Sequence, residues 1–165
     1  MEPGTRVKVN FDIGKRIELM QNHTATHMLN CVLHQLFPFT QQKSSLVHAN
    51  GFKFDFISLE APIDVETVTE IEHRVNKYIG QSAKVERIVL NNPQATFEDD
   101  KPIDEILKAQ FPKKLVITLP DESYPYQVSV IKLPDSVEPC CGTHVNNTAD
   151  VHDFVITSVR STSKG

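Results

Sequence analysis

Tryptophan is absent from the 165 residues, cysteine occurs only three times, and cations do not outnumber anions. Each shortage excludes something. The aromatic content rests mainly on nine Phe. An odd number of cysteines argues against a disulfide framework and for a reducing compartment. Seventeen Lys and Arg against twenty-one Asp and Glu leave a net charge of −4, which excludes a polycation that holds nucleic acid by bulk charge. No apolar run approaches the roughly 18 residues that cross a bilayer, so no membrane partner is expected. Met1-Glu2-Pro3-Gly4-Thr5 lacks the apolar stretch of a secretory leader. What remains is ordinary for a globular chain: 39% apolar and 23% charged residues. Neither a repeat nor a low-complexity linker divides it, so one domain over 1–165 is expected.

The first dozen residues read as an extended segment, with Val7, Val9 and Phe11 alternating against polar neighbours. A helix beginning at Ile17 or Asn22 runs to Leu36, its stripe Ala25, Met28, Leu29, Val32, Leu33 and Leu36, with Pro38 stopping it. A second follows Pro62, capped by Asp64, with Val68, Ile71, Val75, Tyr78 and Ile79 on one face and Gly80 at its end. A short third is expected around Ile103 to Ala109. Strands are expected at Phe52–Phe56, Val85–Leu90, Leu115–Leu119, Gln127–Leu133 and Phe154–Val159. The last five residues look frayed. The fold class is therefore α+β, a mostly antiparallel sheet with two long helices packed on it.

Chemistry concentrates in two places. His23 and His27 stand four apart on a helix, on a face about opposite its apolar stripe. They point to solvent or to a cleft closed by another element; His34 shares that face and is expected to be solvated. Imidazoles so spaced can chelate one metal ion. Cys140 and His144 form the second pair, in Glu138-Pro139-Cys140-Cys141-Gly142-Thr143-His144, where Pro139 ends regular structure and Gly142 permits a bend. One thiolate and three imidazoles suit tetrahedral zinc. Cys141 could replace Cys140, and Cys31, at i+4 from His27, could also contribute.

Both motifs, Asn22-His23-Thr24-Ala25-Thr26-His27-Met28-Leu29-Asn30 and the Cys140 segment, resemble the two signatures of the alanyl-tRNA synthetase editing domain, shared with free-standing alanyl-tRNA deacylases and, more distantly, with threonyl-tRNA synthetases. Gln42-Lys43-Ser44-Ser45-Leu46-Val47 resembles the family's Gln-Lys-Gly-Ser-Leu-Val, and Lys53-Phe54-Asp55-Phe56 its Arg-Phe-Asp-Phe strand. Glu122-Ser123-Tyr124-Pro125 is similar to a segment of the eukaryotic synthetases. The resemblance covers nearly the whole chain. It implies the second-additional-domain fold of those synthetases, a bound zinc on His23, His27, Cys140 and His144, and hydrolysis of serine or glycine wrongly esterified to alanine tRNA. It implies Gln42 near the amino-acid side chain, with Thr24 as the alternative, and Glu138 near the scissile ester.

Serine is alanine plus a hydroxyl, and a synthetic pocket rejects such a difference poorly, which is why a second, hydrolytic site is needed. Three arrangements stay open: an open zinc that activates water; a closed zinc with Glu138 or a ribose hydroxyl activating it; or no metal, with His27 among the acid–base groups. Lys43, Lys53, Lys84 and Arg87 are candidate phosphate contacts at the tRNA 3′ end. Cys141, where the family has Gly, makes the chain most like animal mitochondrial synthetases, which implies the mitochondrial matrix, or alternatively the cytoplasm. The chain lacks the aminoacylation core and the β-barrel half that precedes this module, so it reads as an excised part of an ATP-binding ligase whose remainder is its partner. With Ser44 and Cys141 departing from the pattern, a degenerate, non-catalytic module used for tRNA binding or structure is the alternative. A zinc-dependent hydrolase outside translation is a third reading.

Overall fold

The computed structural model describes residues 3–58, 63–96, 98–119 and 121–161. The first helix, α1, spans Ile13–Leu36, four residues longer at its start than the earliest expected beginning. Asp12 explains the extension: its carboxylate accepts the Lys15 N–H at 3.0 Å and caps the helix. At the far end the Phe37 N–H returns to the Leu33 carbonyl before Pro38. Strands β1 (Gln41–His48) and β2 (Gly51–Ile57) form an antiparallel hairpin. Gly51 closes its turn at φ 143°, a region open to glycine. A bulge between Gln42 and Ser44 leaves Lys43 outside the ladder.

Helix α2 (Val65–Gly80) is capped by Asp64, which accepts from Thr67 N–H at 2.8 Å; the expected entry at Pro62 lies outside the described residues, as do residues 162–165 of the expected frayed end. Then come β3 (Glu86–Asn91), α3 (Asp104–Gln110), β4 (Leu115–Val116), β5 (Gln127–Lys132), β6 (Ser136–Pro139) and a 3₁₀ turn at Thr148–Val151. These four strands form one sheet in the order β3-β5-β6-β4, antiparallel except for β4 beside β6.

The molecule is α+β, as expected, with two differences of detail. The strands divide into a hairpin and a four-stranded sheet, and Phe154–Val159 forms no strand. The Phe154 backbone is instead held at both polar groups by the Asn76 amide on α2, and the Ile156 N–H by Glu72, so a helix and not a strand takes this segment's hydrogen bonds.

Alternation on the sheet decides what meets what. Val128, Val130 and Val137 pack with Ile103 and Leu107 of α3 on one face. Ile131 packs with Met28, Val32, Ile71 and Val75 of α1 and α2 on the other. Glu138 pairs with Ile131 in register, so the pleat turns it toward α1 as well. One register position thus delivers a carboxylate to a buried helix.

Residues 24–33 of α1 are all buried, ten in succession. Of the two expectations for the polar face, solvent or a cleft closed by another element, the structure shows the second: the hairpin and the segment after β6 cover it. This corrects the expectation for His34, which is half-buried, its imidazole pulled below its usual range by desolvation.

Candidate metal centre

Helix α1 brings His23 and His27 one turn apart, and the turn after β6 brings Cys140 and His144. One ligating atom from each of the four lies within 4.8 Å of all the others. Cys31 stays outside this cluster, buried against the Tyr78 hydroxyl at 3.6 Å, and Cys141 is exposed.

Hydrogen-bond partners orient the imidazoles. His23 Nδ1 lies 3.3 Å from the Thr143 carbonyl, which can only accept. Thr24 spends its hydroxyl proton on the Met20 carbonyl at 2.8 Å, so toward His144 Nδ1, at 3.2 Å, it also accepts. His27 Nδ1 stands 2.6 Å from Glu138 Oε1. All three Nδ1 atoms therefore face oxygen acceptors, which leaves each Nε2 to face the other donors of the cluster. Two of these, on His23 and His144, face Cys140 Sγ at 3.6 and 3.5 Å.

A thiolate and imidazole nitrogens set this close suit one shared cation. Tetrahedral zinc, with bonds of about 2.0–2.1 Å to nitrogen and 2.3 Å to sulfur, separates such donors by about 3.6 Å. The donor set fits, down to the oxygen acceptor behind every histidine. The Gly142 N–H, 3.4 Å from Sγ, adds a donor toward the thiolate.

The side chains of the cluster also shift one another's protonation. Burial opposes charge on His27, but Glu138 and Cys140 outweigh it and push the imidazole up to about 10. Burial likewise opposes the Cys140 thiolate, yet His144, His23 and His27 hold it down to about 3. His144, chiefly desolvated, is shifted down and stays neutral. The cysteine is thus already in the form that ligates.

A cavity of about 170 Å³ opens beside the cluster, with His23, His27, Cys140 and Glu138 at its base. Gln42 and Ser45 of β1, Asn30 and Thr26 of α1, and Leu119, Glu122 and Tyr124 of the loop before β5 complete its walls. Gln42 of β1 is half-buried in that wall.

Thr24 and Lys43 do not line the cavity. Thr24 is fully buried behind His144, its hydroxyl committed to Met20, His144 and the Val145 N–H, so it positions a donor instead of lining the cavity. Lys43 sits on the bulge, exposed and turned out of the cavity wall. Nor do the other three cations form a free patch: Lys53 pairs with Asp55, Lys84 approaches Glu86, and Arg87 donates to Ser129. Asn30 was not singled out from the sequence, although it follows His27 by three residues and so shares its helix face.

Thr24→Val keeps the shape but removes the acceptor for two buried N–H groups. Zinc affinity is expected to fall about tenfold, read by competition with a chromophoric chelator. Unchanged affinity would show that His144 needs no such support.

Residues 128–165 match the family described as the threonyl and alanyl tRNA synthetase second additional domain. Over its length the chain is similar to bacterial alanine–tRNA ligases. It is 33% identical over 172 residues to that of Campylobacter jejuni (strain RM1221), covering 100% of this chain and 18% of the relative. For Caldicellulosiruptor saccharolyticus the identity is 36% over 160 residues, covering 96% and 16%. For Rickettsia typhi it is 34% over 164 residues, covering 98% and 17%. The chain spans less than a fifth of the length of these curated relatives.

Proposed function

We propose, from the premise that this chain is homologous to the second additional domain of alanyl-tRNA synthetases, at about 33% identity to the bacterial enzymes, that it is an editing deacylase. It hydrolyses the ester that joins serine or glycine to the terminal adenosine of alanine tRNA. The observation that carries this reading is the convergence of four candidate metal donors, three of which, His23, His27 and Cys140, line a small cavity whose polar walls include Asn30, Gln42 and Glu138.

Each side chain then has a task. His23, His27, Cys140 and His144 would hold zinc, which would tie the two motifs together and supply positive charge beside the cavity. Four protein donors complete a tetrahedral set, so the attacking water is handled by the chain itself. Glu138 gives one oxygen to His27 and the other to Asn30, at 2.6 and 3.2 Å. A carboxylate has about four lone-pair positions. Two remain to hold a water in the cavity and take its proton as the ester is attacked. His27 serves here as a donor to the ion and not as an acid–base group. Gln42 meets the amino-acid side chain. Lys43, thrown outward by the bulge, meets a phosphate of the 3′ end. Most tRNA affinity would come from the rest of a parent synthetase, in keeping with the net charge of −4. The Cys140-Cys141 form supports an animal mitochondrial parent in the matrix; a fluorescent fusion of that parent found only in the cytoplasm would overturn this.

The test compares hydrolysis of seryl- and alanyl-alanine-tRNA by wild type and Cys140→Ala, with zinc quantified on the same samples. Selective release of serine, lost together with zinc in the variant, is expected. About one zinc per chain without release would overturn catalysis and favour a module that binds tRNA or supports structure.

A further inference from the structure

Asn30 is 1% exposed, yet its side chain lines the cavity. Its amide orientation is set by chemistry. The nitrogen faces Glu138 Oε2 at 3.2 Å and Gln42 Oε1 at 3.3 Å. A carboxylate only accepts, so the NH₂ must face it; the flipped amide would set oxygen against oxygen. Two consequences follow. Asn30 Oδ1 is left buried without a hydrogen-bond partner among the described residues. Gln42, whose oxygen is occupied by Asn30, has its Nε2 donor left over for the cavity.

A buried acceptor left without a partner is costly unless something satisfies it. It lies beside a spare donor, in the wall of one cavity. A group that both donates and accepts satisfies the two together, and a hydroxyl does that where a methyl cannot. Resting on the editing function proposed above, we propose that Asn30 is a specificity-determining residue: its Oδ1 accepts the proton of the substrate serine hydroxyl, while its NH₂ holds Gln42 so that Nε2 donates to the same oxygen. Alanine in that position would leave both amides unpaired, which is the stronger kind of discrimination.

The experiment measures binding of seryl-, alanyl- and glycyl-3′-amino-3′-deoxyadenosine, in which a stable amide replaces the ester, to the zinc-loaded chain by calorimetry. Wild type is expected to bind the seryl analogue about tenfold or more tighter than the alanyl one. Asn30→Ala and the near-isosteric Asn30→Leu should bring the two within about twofold while retaining about one zinc per chain. Gln42→Glu, on the exposed hairpin, still accepts from Asn30 but no longer donates, and should also lose the preference. A seryl preference that survives in the Asn30 variants, or one absent from wild type, would overturn the proposal. Seryl preference without ester hydrolysis would overturn the deacylase reading and leave the role of Asn30 standing; hydrolysis with a preference indifferent to Asn30 would do the reverse.

Discussion

Gly142→Ala is expected to weaken zinc binding about a hundredfold or more while leaving the fold in place. A Cβ built on Gly142 would stand 2.2 Å from His23 Cε1 and 2.7 Å from Nδ1. No van der Waals contact is that short, so either the 140s turn or the imidazole must move. Movement of the turn shifts Cys140 and His144; movement of the ring withdraws His23. Every relaxation costs the centre a donor. Gly80→Ala is the control, since nothing lies within 4 Å of its Cβ, and at the end of α2 alanine should be neutral or stabilising by about 0.4–1 kcal/mol. Chelator competition and urea unfolding on both variants make the comparison. Wild-type zinc affinity in Gly142→Ala would remove His23 from the ligand set.

Glu138→Gln is expected to lower deacylation by about 10²–10⁴-fold and zinc affinity by about ten- to a hundredfold. Shape is preserved; what changes is the number of donors the group can face. The carboxylate receives His27 on one oxygen and Asn30 on the other. An amide has a single oxygen. If it serves His27, its NH₂ confronts the NH₂ of Asn30; if it serves Asn30, it confronts the His27 Nδ1–H. One contact must fail whichever way the amide turns, and the water-holding lone pairs are lost as well. Glu138→Asp keeps the charge on a shorter arm and should fall between. Single-turnover deacylation with zinc measured alongside decides. A rate within threefold of wild type would exclude Glu138 as the base.

The two pairs of candidate donors were legible before the structure because their spacings are local, four residues on a helix for His23 and His27 and four across a turn for Cys140 and His144, whereas the choice of Cys140 over Cys141 or Cys31 came only with the resemblance or the fold. Helix α2 was legible for the same reason, with Asp64 and an apolar stripe agreeing, although the left-handed residue expected at Gly80 falls at Ser82 and Gly80 stays within the helix. What surrounds the ligands was not. Glu138 reaches His27 only because β6 pairs with β5 in one register, and that pairing leaves no mark in the motif. Strand β1 is polar and mostly exposed, so its composition resembled a loop. The polar side of α1 resembled a solvated face because burial there is supplied by residues distant in the chain. Thr24 misled for a related reason: its small hydroxyl suited a binding pocket, but the helix turns it behind His144. The buried Thr, His and Asn that weaken the amphipathic pattern of α1 are the site itself.

The 117-residue separation of His23 from Cys140 also sets a timetable. Synthesis proceeds at roughly 5–20 residues per second, so the helix histidines leave the ribosome about 6–23 s before Cys140, and His144 follows last. For most of that interval the hairpin segment that covers the helix already exists, yet two of the four donors do not. An ion taken up early would be held by two imidazoles and exchange freely; one taken up after His144 would lock the first helix to the turn after β6. A ribosome stalled before that turn would display a helix still able to trade its ion with the surroundings.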